Sequence, residues 1–428
     1  MQNDASPSTV LFVERWLWRP ISVGVTAALV GFLSSFAVVL AGLSAVGATT
    51  AQATTGLIAL CALMGAGTIL LTLRHRTPLM LAWSTPGAAI LVSAGAAEGG
   101  WPAAVGAFLV TGLMIVLTAA LPALGRLVAA IPAPLAQAML AGVLLTLCVQ
   151  PVIAFAQTPL MVGPVLLAWV VLARFAPRWA APVAFALALG IAVADVLARG
   201  EALVVASPLP TFTMPSFTFP ALIGIALPLY IVTMASQNVP GAAIMASFDV
   251  AVPWRESLFL TGAGTMLGSP AGGHAINLAA ITAALSASAE AHPDRRRRWI
   301  AAHAAGWAYL VLGALTPLLV VLAAAAPAGL IEAVAGLALL GTLASALSAA
   351  VAERSRQVAV VLTFVIAASP VVLLGIGPSL WSLVAGLIVW GLSAARPFRG
   401  PTGPSAVRAA ARPRGRRPEG HGSPDPRG

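Results

Sequence analysis

Polar side chains are rare inside the long apolar runs of this sequence, and they cluster at three places. Ser84 and Thr85 stand before Pro86 in one run, and His274 precedes Asn277 in a glycine-rich break of another. The third cluster consists of Tyr230, Ser236, Gln237 and Asn238. Hydroxyls and amides bind small polar ligands through hydrogen bonds, and histidine exchanges a proton near neutral pH. These residues therefore predict a ligand-binding site in which His274 couples binding to a proton.

Each of these residues also has a purely structural interpretation. A polar side chain between membrane helices often forms an interhelical hydrogen bond, which contributes about 0.6 kcal/mol, and a neutral His274 would bond within the bundle. The acidic residues, 13 in all, fall in tails, in loops or at the ends of apolar runs. A carboxylate relay, a metal site and the paired acids of a membrane-embedded enzyme are therefore not expected, and no cofactor is predicted.

The composition indicates which elements position these residues. The chain is 59% hydrophobic and only 8% charged, whereas soluble domains carry about 25% charged residues. A soluble enzyme, a disordered chain and a nucleic-acid-binding domain are excluded, and an all-α polytopic membrane protein is indicated. Cutting the chain at charges, prolines and glycine clusters predicts about fourteen transmembrane segments. They are 21–45, 55–73, 77–96, 101–121, 133–149, 159–173, 179–197, 219–237, 255–269, 272–289, 299–322, 328–350, 357–373 and 376–394.

The basic residues support an even number of segments. All 23 are arginine, and with a cytoplasmic N-terminus every cluster between segments falls on the cytoplasmic side, with Arg199 as the exception. Cytoplasmic loops of membrane proteins are enriched in such residues, so both termini are predicted to be cytoplasmic. The quartet 295–298 marks the lipid headgroups. The net charge of +10 thus reflects topology, and no nucleic-acid partner is expected.

Two segments are interrupted, which suggests a repeat. Thr85 followed by Pro86 predicts a helix N-cap and first residue, preceded by an extended stretch at 79–84. Asn277 predicts a second N-cap, and the peptide from Gly87 to Ile90 matches that from Leu278 to Ile281, about 190 residues later. Two inverted repeats of seven segments with paired interruptions are typical of secondary transporters. Helix N-termini meeting at mid-depth favour an anionic ligand.

Several motifs are long enough to be specific. They are Thr77-Pro78-Leu79, the stretches from Ala82 to Gly87, Leu227 to Gly241 and Asn277 to Thr282, and Ala291-His292-Pro293-Asp294. These motifs resemble the benzoate:proton symporter family, BenE, and the resemblance extends from about Ile21 to Leu392.

The resemblance implies a fold similar to that of the uracil and nucleobase carriers. Segments 1–4 and 8–11 would form a core domain that moves against a gate domain of segments 5–7 and 12–14. The site would lie between the extended parts of segments 3 and 10, beside segment 8. Nucleobase relatives carry glutamates where this chain has His274 and, nearby, Ser236 or Gln237. The missing carboxylates agree with an aromatic acid as substrate and leave the coupling residue open.

The sequence therefore predicts inward symport of benzoate, or a close aromatic carboxylate, with a proton by alternating access. Alternatives are a nucleobase or other organic-anion carrier of the same fold and a weak-acid uniporter or channel; an enzyme is not expected. Predicted units are a cytoplasmic segment 1–20, a transporter domain 21–395 with repeats at 21–197 and 219–394, and a disordered basic cytoplasmic tail 396–428. The expected location is the bacterial inner membrane. The oligomeric state is left open, with a homodimer as one alternative.

Overall fold

The structure, a computed structural model, describes residues 7–200, 210–353 and 356–394. The first half of these residues forms nine helices and one short strand. They are α1 (Pro7–Ala45), α2 (Thr50–His75), β1 (Leu81–Trp83), α3 (Thr85–Ala94), α4 (Gly100–Ala120), α5 (Pro122–Ala129), α6 (Ala133–Cys148), α7 (Gln150–Gln157), α8 (Pro159–Phe175) and α9 (Pro177–Ala198).

The second half contains one further strand and two π-helical turns inside a long helical stretch. Its elements are α10 (Phe219–Ala221), a π-helix (Leu222–Ala226), α11 (Leu227–Thr233), a second π-helix (Met234–Asn238), α12 (Val239–Ser247), α13 (Trp254–Gly268), β2 (Ile276–Leu278), α14 (Ile281–Ala287), α15 (Trp299–Ala324), α16 (Leu330–Ala350), α17 (Gln357–Ala368) and α18 (Pro378–Ala394). Single 3-10 turns cover Ser269–Ala271 and Arg295–Arg297.

Many of these helices are long and apolar enough to cross a membrane. Among the described residues there are eight such stretches, and four shorter apolar helices accompany them. The chain is therefore a mostly helical, polytopic membrane protein. The fourteen-segment count and the inverted repeat stay predictions. The first helix differs from its prediction because α1 begins at Pro7, so the predicted segment 1–20 is largely helical. The predicted tail 396–428 lies outside the described residues.

The two interrupted segments cross each other as an antiparallel pair of strands. Leu81 pairs with Leu278, and Trp83 pairs with Ile276. The extended conformation predicted at 79–84 is thus confirmed for 81–83. Every main-chain polar group at membrane depth needs a partner, and each strand supplies partners for the other at the point where its helix is interrupted.

The predicted N-caps at Thr85 and Asn277 are wrong. Ser84 caps α3 by accepting a hydrogen bond from the Gly87 N–H, so Thr85 is the first helical residue. Asn277 lies in β2, and α14 begins at Ile281 without a side-chain cap. Asn277 is unavailable as a cap because its main chain is committed to the strand pairing.

The predicted sequence match between the two interrupted segments is out of register. Ile90 lies midway along α3, whereas its supposed counterpart Ile281 is the first residue of α14. Small apolar residues are so frequent in this chain that a four-residue match arises by chance.

Close helix packing surrounds the strand pair. α2 packs along α15, and α4 packs along α13. At the second contact Gly112 and Gly262 face each other, and a Cβ added to either would lie within 2.8 Å of the other's carbonyl oxygen. Small residues of this kind let membrane helices approach to main-chain contact, and α4 and α13 pack in this way beside the strands.

Several arginine-bearing loops contact one another at one end of the bundle. Arg74 pairs with Glu256 at 2.7 Å, and Arg295 pairs with Asp249 at 2.8 Å. Glu290 receives both Arg178, at 3.4 Å through its carboxylate, and Arg19, at 2.9 Å through its carbonyl. These contacts bring together loops that the arginine pattern assigns to a common side.

Candidate functional site

A cavity of about 150 Å³ lies between the strand crossing and α16. Its walls come from α1, α2, β1, the start of α3, the second π-helix, the residues after β2, α14, α15 and α16. Its polar and aromatic lining residues are Phe32, Ser34, Ser35, Trp83, Thr85, Gln237, Thr282, Tyr309 and Thr342. Apart from Tyr309, no residue with an ionisable side chain lines it.

The aromatic side of the cavity is fixed by contacts from α1. The indole Nε1 of Trp83 donates to Ser35 Oγ at 2.7 Å. The Trp83 ring lies 5.3 Å from the Phe32 ring, and Phe32 lies 5.3 Å from Phe36. Aromatic rings at such separations attract one another. Trp83 therefore forms a held aromatic wall and does not rotate freely into the cavity.

Ser84 connects α3 to its neighbours and does not line the cavity. Its side chain is buried, accepts the Gly87 N–H at 3.1 Å and accepts the Thr233 hydroxyl at 2.9 Å. Its N–H donates to the Ala275 carbonyl at 2.9 Å, which extends the strand pairing. Ser84 thus fixes the start of α3, while the next residue, Thr85, faces the cavity.

His274 lies directly behind this cap. Its Nε2 is 3.0 Å from the Ser84 carbonyl oxygen, and because a carbonyl only accepts, Nε2 carries the hydrogen. Its ring meets Phe108 edge-on, with 6.4 Å between centroids. The second nitrogen, Nδ1, is buried without a hydrogen-bond partner among the described residues. His274 is fully buried and does not line the cavity, and its contact with a ligand stays a prediction.

The two predicted asparagines also serve the strand crossing. Asn238 Oδ1 accepts the Leu278 N–H at 2.9 Å. The Asn277 amide, in the orientation that matches donors with acceptors, donates to the Ala82 carbonyl at 3.2 Å and the Leu278 carbonyl at 3.1 Å. Both asparagines are completely buried. Their side-chain amides form hydrogen bonds with main-chain groups for which the three-residue strands provide no other partner.

Threonines on two flanking helices complete the outer edges of the strands. Thr68 of α2 accepts the Leu81 N–H at 2.9 Å, and Thr265 of α13 accepts the Ile276 N–H at 2.9 Å. The two interactions are equivalent, one in each half of the chain. Sequence reasoning missed both because threonine in a membrane helix normally bonds back to its own helix.

The predicted residues of the third cluster separate in the structure. Gln237 lines the cavity from the second π-helix, a geometry that often marks functional sites. Ser236, beside it, has a buried hydroxyl without a partner among the described residues. Tyr230 is buried against the Thr118 hydroxyl, away from the cavity. Of the eight predicted site residues, only Thr85 and Gln237 therefore reach the cavity.

Sequence reasoning did not select several lining residues. Tyr309 and Thr282 approach each other beside Gly31, where an added Cβ would lie 3.3 Å from the Tyr309 hydroxyl and 3.0 Å from Thr282. Thr342 reaches the cavity from α16. A polar residue inside an apolar run was the signal that could have identified them. Tyr309, for example, is one of only two tyrosines in the chain.

Comparison with known proteins identifies the family. A sequence model of BenE, described as benzoate membrane transport protein, matches residues 18–392. The chain belongs to the BenE family. This BenE-family chain is 40% identical over 367 residues to Inner membrane protein YdcO of Escherichia coli (strain K12), covering 85% of the chain and 93% of the relative. It is 30% identical over 329 residues to the Benzoate membrane transport protein of Acinetobacter baylyi, covering 75% and 82%.

Solved structures resemble the BenE-family chain in fold. The transmembrane domain of the cyanobacterial bicarbonate transporter BicA matches with a TM-score of 0.56 at 13% identity, covering 87% of the chain and 98% of that domain. SLC26A9 matches with a TM-score of 0.60 at 10% identity, covering 89% and 66%. They give no support to the predicted likeness to nucleobase carriers. Family membership makes the chain a membrane transporter and not an enzyme.

Proposed function

We propose that this chain carries benzoate, or a close aromatic carboxylate, into the cell together with a proton by alternating access. The cavity at the strand crossing carries the proposal. Its volume of about 150 Å³ equals that of an engineered protein cavity that binds benzene. Aromatic residues and small alanines suit a phenyl ring. The 30% identical relative from Acinetobacter baylyi is named a benzoate membrane transport protein.

The carboxylate would bind at the polar side of the cavity. Hydroxyls of Thr85 and Thr282 and the amide of Gln237 offer hydrogen-bond donors there. Thr85 also begins α3, and the N-terminus of a helix carries partial positive charge that favours an anion. No acidic side chain lines the cavity to repel a carboxylate. We therefore assign Thr85 and Gln237 to substrate contact, with Ser84, Asn238 and Asn277 as residues that position the strands.

Proton coupling is assigned to His274. Its Nε2–H is used by the Ser84 carbonyl, and its Nδ1 offers a free lone pair in a buried environment. A proton on Nδ1 adds positive charge behind Ser84, one residue from Thr85 at the cavity. Bound carboxylate and bound proton would then stabilise each other, which couples their movement. Of the two remaining predicted residues, Ser236 adjoins Gln237, and Tyr230 supports segment 8 through Thr118.

The proposed architecture has fourteen segments in two inverted repeats. It is supported by the antiparallel register of β1 and β2 and by the equivalent bonds from Thr68 and Thr265. The packing of α2 on α15 mirrors that of α13 on α4. The cavity lies between proposed core elements and α16. This helix corresponds to predicted segment 12, which belongs to the proposed gate domain. Movement of core against gate would open the cavity to alternate sides.

The proposed location is the inner membrane, with both termini in the cytoplasm. The relative from Escherichia coli is named an inner membrane protein. The mutual contacts of the arginine-bearing loops support a common cytoplasmic side. The proposal leaves the oligomeric state open, with a homodimer as one alternative.

Uptake of labelled benzoate into proteoliposomes tests the function. With one proton per benzoate, a gradient of one pH unit, acidic outside, drives accumulation up to about tenfold. Uptake no greater than in protein-free vesicles would refute benzoate transport. Uptake that stops at equal concentrations would indicate a uniporter or channel, and competition by unlabelled uracil would indicate a nucleobase carrier.

A further inference from the structure

A second, larger cavity is a groove of about 900 Å³ between α1 and α15. It shares no lining residue with the benzoate cavity. Its walls are almost entirely apolar and include Val25 of α1 with Trp307 and Val311 of α15. These three side chains are 44%, 56% and 62% exposed, so the groove opens on the outer surface of the bundle. Transport as proposed makes no use of it.

The groove is long enough to hold an acyl chain across one leaflet of a membrane. Its lining along α15 extends from Ile300 to Ala314, which at 1.5 Å per residue spans about 21 Å. The hydrocarbon of a single leaflet is about 15 Å thick. An acyl chain of a phospholipid would therefore fit along the groove in one leaflet, with its headgroup beyond Ile300.

Two polar residues within the groove are already satisfied. Trp307 Nε1 donates to His303 Nε2 at 3.2 Å, and His303 Nδ1 bonds to Thr72 Oγ1 at 3.0 Å. No ring nitrogen of this pair is left to require water. The wall thus offers an acyl chain an apolar surface over its whole length.

The end of the groove at Ile300 carries positive charge. Arg296 and Arg297 come just before α15, and Arg76 stacks over the Trp299 ring at 4.2 Å from its centroid. All three arginines are exposed. We call them the arginine collar. The nearest acid in the sequence, Asp294, is 3.9 Å from Arg297 and leaves the collar with a net positive charge.

We propose that the groove binds one acyl chain of an anionic phospholipid whose phosphate contacts the arginine collar. An apolar groove that ends in clustered guanidinium groups is complementary to an amphiphile that has an apolar chain and an anionic headgroup. A second copy of this chain is a poorer occupant. Acids on this end are already engaged, since Glu256, Glu290 and Asp249 each pair with an arginine of the same molecule.

Lipid binding to the purified protein in detergent tests the proposal. Native mass spectrometry would compare bound phosphatidylglycerol with bound phosphatidylcholine. An arginine near a membrane surface contributes a factor of about five in affinity for an anionic lipid. Changing both Arg296→Gln and Arg297→Gln should lower phosphatidylglycerol affinity roughly 25-fold. It should lower phosphatidylcholine affinity much less, because the choline cation offsets the charge of the phosphate.

A second variant tests the acyl part. Ala308→Phe would fill the groove and should remove both lipids, whereas Val170→Phe, on an exposed position of α8, should remove neither. An unchanged preference for phosphatidylglycerol in the double arginine variant would overturn the proposal. So would Ala308→Phe if it broke a dimer and left lipid binding intact, because a second copy would then occupy the groove. The readout is lipid binding, so it stands apart from benzoate uptake.

Discussion

Ala338 of α16 lines the cavity, and replacing it with phenylalanine tests whether the cavity receives the ring of the substrate. The new phenyl group would occupy the space proposed for benzoate. Ala344→Phe provides a matched control, because Ala344 is an exposed residue of the same helix and does not line the cavity. Both variants add the same group to α16.

The expected size of the effect follows from the cavity volume. An empty cavity costs about 24 cal/mol per Å³, so about 150 Å³ corresponds to about 3.6 kcal/mol. A ring that fills the space recovers about this free energy, which is a factor of about 400 in affinity. Benzoate should therefore bind up to about 400-fold more tightly than acetate, which has the carboxylate without the ring.

Competition against labelled benzoate uptake measures this ratio. In the unchanged protein and in Ala344→Phe, unlabelled benzoate should compete far better than acetate. In Ala338→Phe the two acids should compete almost equally, because the ring no longer has a space. If Ala338→Phe kept the full preference for benzoate and remained folded, the ring would bind elsewhere, and the assignment of this cavity would be wrong.

Other predictions concern the residues behind the cavity. His274→Gln retains a donor for the Ser84 carbonyl but cannot be protonated, so it should abolish accumulation driven by a pH gradient and retain benzoate exchange; unchanged accumulation would remove His274 from coupling. Ser84→Ala loses the helix cap, about 1 kcal/mol, and the bond from Thr233, about 0.6 kcal/mol. Its stability loss should exceed that of Thr233→Val in thermal unfolding, and equal losses would contradict the capping role. Gly56→Ala places a Cβ 2.5 Å from the Gly272 carbonyl oxygen, so the yield of folded protein should fall sharply, whereas a normal yield would contradict this packing.

The sequence predicted the interruption of two segments because proline and glycine restrict the main chain locally. Pro86 lacks an N–H, and in a continuous helix its ring would clash with the carbonyl of Ala82, which agrees with the extended conformation of residues 81–83. Whether Ser84 or Thr85 caps α3 could not be predicted, since both side chains are good caps. The choice depends on Thr233, a partner far along the chain that also needs the Ser84 hydroxyl.

The side chains that reach the cavity were harder to predict than their neighbourhood. Sequence position located Asn277 and His274 near the crossing, but a strand sends alternate side chains to opposite faces. Which face meets the cavity depends on the register between β1 and β2, and that register is a contact between distant segments. Tyr309 and Thr342 were missed because α15 and α16 show only isolated polar residues in apolar sequence. Their role comes from tertiary packing.

The crossing of β1 and β2 separates two tasks that many binding sites combine. Its hydrogen bonds join main-chain groups, and its outer edges are completed by Thr68 and Thr265 from outside the strands. The side chains of Ala82, Trp83 and Ala279 at the cavity therefore carry little of the scaffold's hydrogen bonding. Replacing them alters the shape offered to a ligand while the crossing persists. A transporter built in this way can acquire a new substrate by a few side-chain changes, without redesign of the element that holds its helices at mid-membrane.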